Sequence, residues 1–380
     1  MSAQTTVLFI LGTRPEAIKL APLIRRFQQE DASCQVKICV TGQHRSLIEP
    51  LLGFFAIVPD VNLDIMNENQ TLFDIVANTI RHFEEVLTRY APSLIIAQGD
   101  TLSALMGTLA GFFKKIPIVH IEAGLRTYHK YAPFPEEMNR RLISRLVDYH
   151  FAPTEKAKKN LESEGIQNNI WVTGNTGIDA LRLGLRIISS RGDRDYYHFF
   201  ESKGIDFSRR IILMTGHRRE NFGEGLAQIC DAIHQTVCHF DDIEVIYPVH
   251  LNPNVKETVV QRLHEVSRIH LLDPLPYPYF IWAMQKSYCV VTDSGGIQEE
   301  APFFGKPVLV TRTSTERMEG TEAGTAKLVG IQTDRIVSEL SALLSDTAYY
   351  ARSSKPATPY GDGTASEKIF QVLKTSSIFG

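Results

Sequence analysis

Short apolar runs alternate with amphipathic stretches along the chain, a pattern that predicts repeated β-α-β units, with parallel strands buried between layers of helix. Val7–Leu11, Val36–Val40, Leu94–Ala97, Ile118–Ile121 and Tyr149–Ala152 read as buried strands, each followed by a Gly- or Pro-marked turn and a helical period. A second series follows in Ile211–Met214, Glu244–Tyr247, Ile269–Leu271, Tyr288–Thr292 and Val308–Val310, with helices such as Gly225–Val237 and Ile297–Phe304 between its strands. The change of series near Val172–Asn175 predicts one α/β domain over residues 1–173 and another over 174–363. A helix over 364–380, capped by Asp362 or Thr364, is expected to pack back on the first domain. Ser189–Asp195 reads as a polar surface loop.

Length supports the division, because 380 residues exceed the ~250–300 at which a single core stops growing. Apolar residues at 43% and charged residues at 22% describe an ordinary globular chain. A formal net charge of −3, with Arg-Arg pairs scattered, argues against nucleic acid or a membrane surface as partner. No basic leader precedes the first strand and no apolar run reaches the ~18–20 residues of a membrane span, so a cytoplasmic protein is expected. The five cysteines, without C-x-x-C spacing, read as free and mostly buried thiols. No HExxH, Cys/His cluster or calcium loop occurs, so no metal site is expected.

In open α/β sheets ligands bind beyond the carboxyl ends of the strands, and polar residues are dense there. Gly12–Lys19 is a glycine turn entering a helix, where backbone N–H groups, Arg14 and Lys19 suit an anion; a solvated turn is the alternative. Asp100, after the third strand, reads as either a helix cap or a functional acid. Glu122 directly follows a buried apolar strand, with an ion pair to Arg126 as its structural alternative. Glu136 and Arg140 share one helix face, where an i,i+4 salt bridge would contribute only ~0.3–0.5 kcal/mol. Acids gathered at neighbouring strand ends raise one another's pKa, and one of them could then take a carbon-bound proton.

The second half offers phosphate-facing parts. Gly216–Gly225 carries His217 and two arginines between a strand and a helix, and His250 stands just beyond another strand. Either histidine could instead be held structurally. Ser294, Gly295 and Gly296 open a helix where phosphate oxygens can approach the backbone, and Glu300 lies about one turn on, placed to accept from ribose hydroxyls. Arg317, after the last strand, could close over the same ligand.

Together these segments, with Gly42-Gln43-His44-Arg45, Gly99-Asp100-Thr101, Pro135-Glu136-Glu137, His250–Asn254, Ser294–Pro302 and Thr315-Glu316-Arg317 in family order, resemble the bacterial non-hydrolysing UDP-N-acetylglucosamine 2-epimerases over nearly the whole chain. The resemblance implies two Rossmann-like, glycosyltransferase-B-like domains with the ligand in the interdomain cleft, a homodimer, and epimerisation of UDP-GlcNAc to UDP-ManNAc without metal or nicotinamide. It makes Asp100, Glu122 and Glu136 the acid/base candidates, lets Arg140 and His217 assist at the sugar or departing phosphate, and marks Arg14, His250, Ser294, Glu300 and Arg317 as UDP ligands. The implied reaction is anti elimination to 2-acetamidoglucal and return of UDP with a proton on the other face. An activating second UDP-GlcNAc is also implied, with Gln43 and Gln70 at matching positions, although Ser46 and Asn69 differ from some members. Gln98, Phe134 and Met318 depart from the family's usual histidine, tryptophan and proline, which keeps a modified UDP-HexNAc such as a 2,3-diacetamido sugar open as substrate. A glycosyltransferase-B-type UDP-sugar transferase is the rival enzyme class, and a nucleotide-sugar sensor would lack a use for the acids.

Overall fold

The computed structural model describes residues 4–30, 34–42, 45–65, 70–315, 317–376 and 378, with the backbone alone described at 45–47. The chain divides into two units, Met1–Leu183 with Tyr360–Gly380, and Gly184–Pro359.

The first unit is built on seven parallel strands: β1 (Thr5–Leu11), β2 (Cys34–Val40), β3 (Val61–Asn62), β4 (Leu94–Gln98), β5 (Ile118–Ile121), β6 (Tyr149–Ala152) and β7 (Ile170–Val172), in the order β3-β2-β1-β4-β5-β6-β7. Its helices are α1 (Arg14–Gln28), α2 (Arg45–Phe54), α3 (Leu72–Tyr90), α4 (Leu102–Phe113), α5 (Glu136–Leu146), α6 (Glu155–Ser163) and the start of α7 (Thr176–Arg191). The central strands read as unbroken apolar runs because helices cover both faces; Val7 to Leu11 and Leu94 to Ala97 are all buried. The second unit repeats the plan with β8 (Arg210–Thr215), β9 (Ile243–Pro248), β10 (Ile269–Leu272), β11 (Cys289–Thr292), β12 (Val308–Val310) and β13 (Ala326–Leu328), ordered β10-β9-β8-β11-β12-β13. Around them lie α8 (Arg194–Glu201), α9 (Glu224–His239), α10 (Pro253–Leu263), α11 (Tyr277–Lys286), α12 (Gly295–Glu300), α13 (Met318–Glu322), α14 (Thr333–Ser345) and α15 (Thr347–Ser353). The last helix, α16 (Ala365–Lys374), belongs to the first unit.

Strand order reverses between β1 and β4 in one sheet and between β8 and β11 in the other, and such switch points leave a crevice beyond the strand ends. The turns and helices directly after these four strands carry Arg14, Lys19, Asp100, His217, Ser294 and Glu300.

The boundary falls between Leu183 and Gly184, inside α7, ten residues beyond the expected 173/174. The first turns of α7 are committed to the first unit: Ile178, Ala180 and Leu181 are buried, and Asn175 donates its N–H to the Tyr360 carbonyl at 2.7 Å. The α16 N-terminus is satisfied from α7, since the Asp179 carboxylate accepts from the backbone of Ala365 at 3.2 Å and Ser366 at 2.7 Å. That is the role expected of Asp362 or Thr364, whose side chains bond each other instead, Thr364 Oγ donating to Asp362. On the other side α16 meets α1 through Phe27 and Phe370, edge to face at 4.9 Å, and an Arg26–Glu367 pair at 2.5 Å. The expected loop at Ser189–Asp195 is helical except at Gly192-Asp193, where α7 ends and α8 begins, because Tyr196 and Phe200 of α8 are buried against Trp282. Strands β3 (Val-Asn) and β13 (Ala-Lys-Leu) are short and each includes a polar residue, so neither registers as an apolar run.

Cys34, Cys39, Cys230 and Cys289 are buried, Cys238 is exposed, and all five are free thiols. Among the described residues no helix is long and apolar enough to cross a membrane, and no cluster of three or more His, Cys, Asp or Glu could hold a metal.

Candidate functional site

In the first unit the turns after β1, β4 and β5 are wired together by carboxylates. Glu16, third residue of α1 and 1% exposed, reaches back to accept from the backbone of Gly12 at 3.0 Å and Thr13 at 2.6 Å and from the Thr13 hydroxyl at 2.8 Å. Its other oxygen accepts from the Thr101 hydroxyl at 2.6 Å, joining the β1 turn to the β4 turn. Burial pushes the Glu16 carboxyl up to about 7 against the downward pull of these hydrogen bonds. Arg14 is the first residue of α1 and partly buried, and Lys19, one turn on, pairs with Glu122. Glu122 also accepts from the Gln98 amide at 2.8 Å. The expected alternative for Glu122 fails, because the Arg126 guanidinium is wholly buried against Glu164 at 2.8 Å and Ser144 at 3.0 Å. Glu122 sits at φ +66, a left-handed conformation that costs a side chain of this kind on the order of 1–3 kcal/mol and turns the carboxylate out of the strand direction.

Asp100 is not the helix cap; Thr101 takes that place, its hydroxyl accepting from Ala104 N at 3.1 Å. Asp100 instead pairs with Arg140 of α5, and Arg140 also lies 3.4 Å from the fully buried Glu137. The i,i+4 pair expected of Glu136 and Arg140 does not form, since Arg140 is turned to Asp100. Glu136, partly buried at the start of α5, makes no hydrogen bond or ion pair among the described residues. Backbone bonds lock the Asp100 turn to its neighbours: Gly99 N donates to Ile121 O at 3.1 Å, His120 Nε2 meets Gly99 O at 2.7 Å, and the Asn139 amide donates to Asp100 O at 2.8 Å. Burial drives His120 down to about 3 and its strand partner His150 down to about 4, so both rings are neutral and His120 is a donor. Of the positions implied for an activator, Gln43 lies outside the described residues, and the Gln70 amide donates to Ile65 O at 3.0 Å.

In the second unit one buried carboxylate organises the switch point. Asp293, 1% exposed after β11, accepts from the backbone of His217 and Arg218, both at 2.9 Å, and from the Asn221 amide at 3.2 Å. The His217 ring places Nδ1 3.4 Å from Asp293 and stacks on the His250 ring, centroids 5.6 Å apart and 20° from parallel. Burial lowers the His217 pKa, Asp293 opposes that, and Arg218 and His250 add to it. His250 is exposed and accepts the Asn252 N–H on Nδ1 at 3.1 Å. Ser294 donates its backbone N–H to the Thr292 hydroxyl at 2.9 Å and opens α12 with Gly295 and Gly296. The Arg317 guanidinium lies directly on Gly295, where an added Cβ would come within 2.5 Å of it, and pairs with Glu299 at 2.8 Å. Glu300 ends α12, partly buried, and the space beside Gly296 is open.

The structure thus gathers Lys19 with Glu122, Asp100 with Arg140, His217 with His250, and Arg317 with Gly295. Glu16, Gln98, Asp293, Asn221 and Glu299 are the polar residues that the sequence reading left without a role. Two of them had a sequence signal: Glu16 in the Thr-x-x-Glu spacing of a capping box at Thr13–Glu16, and Gln98 as a departure from the family's usual histidine.

Residues 26–374 match the family model described as UDP-N-acetylglucosamine 2-epimerase. The UDP-N-acetylglucosamine 2-epimerase of Campylobacter jejuni is 46% identical over 379 residues, covering 97% of each chain. Among solved structures, the UDP-GlcNAc 2-epimerase of Neisseria meningitidis bound to UDP-GlcNAc superposes with a TM-score of 0.90 at 43% identity, over 98% of this chain and 100% of that one. The Methanocaldococcus jannaschii UDP-GlcNAc 2-epimerase in complex with UDP-GlcNAc and UDP gives a TM-score of 0.81 at 31% identity, over 98% and 100%. With a family model spanning most of its length and relatives this similar end to end, the chain belongs to the UDP-N-acetylglucosamine 2-epimerase family, a family of isomerases.

Proposed function

We propose that the protein interconverts UDP-GlcNAc and UDP-ManNAc by eliminating UDP to 2-acetamidoglucal and adding it back with a proton on the opposite face of the same carbon. The observation that carries this reading is the pair of acids on adjacent strand ends, Glu122 held by Lys19 and Gln98, and Asp100 held by Arg140, their turns tied by Gly99. The proton to be removed is beta to the departing group rather than alpha to a carbonyl, so abstraction alone is not enough and the leaving diphosphate must be stabilised as well. The cations and N–H donors of the second unit, around His217, Ser294–Gly296 and Arg317, have the chemistry for that task. Glu136 is the third acid/base candidate. Arg14, His250 and Glu300 complete the ligand set. The same reading includes a homodimer, an activating second UDP-GlcNAc at Gln43 and Gln70, and supply of ManNAc units to cell-envelope polysaccharides.

Proton exchange tests it directly. In deuterium oxide the purified protein should place deuterium at the acetamido-bearing carbon of both epimers, read by NMR on UDP-GlcNAc. A UDP-2,3-diacetamido sugar run in parallel decides the substrate, because Gln98, which departs from the family pattern, touches Glu122 itself. No label in either sugar, with transfer to an acceptor instead, would establish the transferase.

A further inference from the structure

We infer that Asp293 is a positioning residue that makes His217, and not its stacked neighbour His250, the histidine that carries a proton in the reaction. Two imidazoles stacked at 5.6 Å do not both take a positive charge readily, so something must decide between them. Their Nδ1 atoms face opposite chemistry. His250 Nδ1 accepts the Asn252 N–H, which places its ring proton on Nε2, because a proton on Nδ1 would break that bond. His217 Nδ1 faces the Asp293 carboxylate at 3.4 Å, which places its ring proton on Nδ1 and leaves Nε2 to gain and lose a second one.

The carboxylate cannot turn away. Its oxygens already receive the N–H groups of His217 and Arg218 and the Asn221 amide, and Asn221 is itself anchored to Thr311 O at 3.1 Å. The residue that sets the ring's tautomer therefore also grips the backbone of the same residue, so ring and carboxylate keep one geometry. The groups facing His217 are Asp293 after β11, Arg218 in its own loop and His250 after β9; only Asp293 favours the imidazolium, against burial and the two others.

This rests on the reading that His217 serves the departing diphosphate. In that step the bond from the anomeric carbon to the phosphate oxygen breaks with its electron pair going to oxygen. The Nε2 proton of His217 passes to that oxygen while a carboxylate takes the proton from the neighbouring carbon. On re-addition the phosphate oxygen gives its proton back to Nε2 as it rebonds to the anomeric carbon, and a second acid delivers a proton to the opposite face of the neighbouring carbon.

Two-bond 1H–15N spectra of the ¹⁵N-labelled full chain, assigned with His217→Gln and His250→Gln, read the tautomers without any activity measurement. We expect Nδ1–H at His217 and Nε2–H at His250. In Asp293→Asn the His217 titration should fall by about one unit, and the alkaline limb of kcat should move to lower pH by the same amount while KM changes less than kcat. The inverse tautomers, or an unmoved His217 titration in a folded Asp293→Asn, overturn the inference; if that variant does not fold, the unmodified protein's tautomers decide alone. Correct tautomers without deuterium uptake would defeat the proposed function and leave the positioning intact, whereas uptake with the wrong tautomers would defeat the positioning only.

Discussion

The two units solve the same problem, fixing polar turns at a sheet's switch point, with opposite charge arrangements. In the first, two of the three candidate acids are matched to a cation, Glu122 to Lys19 and Asp100 to Arg140. In the second, the buried acid Asp293 faces inward and is spent on backbone N–H groups while Glu299 pairs with Arg317, leaving the histidines and the Gly295–Gly296 backbone to whatever binds. Each turn is held by a buried carboxylate that crosses between strand ends, Glu16 from a helix and Asp293 from a strand. The difference teaches where charge can change during a reaction: paired acids can trade a cation's bond for a proton, while a carboxylate buried in N–H donors acts only on its neighbours.

Acid should separate the units by the largest margin. His120 and His150 on β5 and β6 are buried and neutral, with pKa values near 3 and 4 in the fold against about 6.5 when unfolded. As pH falls below 6.5 the unfolded chain takes up protons that the folded one refuses, so stability falls. Glu16 works the other way: its folded value near 7 exceeds the unfolded 4.5, so it adds stability as pH drops from 7 to 4.5 and offsets one of the two histidines there. From pH 6.5 to 4.5 these three groups together leave one unbalanced proton, a loss of about 1.4 kcal/mol per pH unit. Hydrogen exchange followed from pH 7 to 4 should show β4–β6 losing protection before β8, β9 and β11; the reverse order would show that the buried histidines do not govern acid stability.

Next in size, Glu122→Gln should cut turnover by ~10²-fold or more while leaving UDP affinity largely intact, because the change is confined to the acid side of the comparison. Steady-state kinetics with calorimetric UDP titration would read both, and near-wild-type turnover would remove Glu122 from the acid/base set. A smaller effect, with the opposite signature, is expected from Gly295→Ala. The new methyl would displace the Arg317 guanidinium now lying 2.5 Å away, weakening UDP binding about tenfold and changing kcat less. An unchanged UDP affinity would detach Arg317 and the Gly295 turn from nucleotide binding.

The β-α-β alternation, the two series of strands and the placing of polar motifs at strand ends were legible in the residues, because strands covered on both faces must be apolar throughout and turns must carry glycine or polar groups. Family membership followed from the order of the motifs. The sequence also held the individual acids, but not their partners. Glu122 was set against Arg126, four residues away, and found Lys19, from a different strand's helix; Glu136 was set against Arg140, which went to Asp100.

Periodicity and spacing report what a segment's own backbone dictates, and so they determined the elements, the fold class and the residues near the strand ends. Which way each polar side chain turns is decided by groups that arrive from elsewhere in the chain. Asp179 caps a helix that begins 186 residues later, Gln98 donates to an acid on the next strand, and Asp293 selects between histidines on two other strands' loops. Burial makes those pairings obligatory, since a polar group shut away from water must find a partner, and only the folded chain brings the partners within reach.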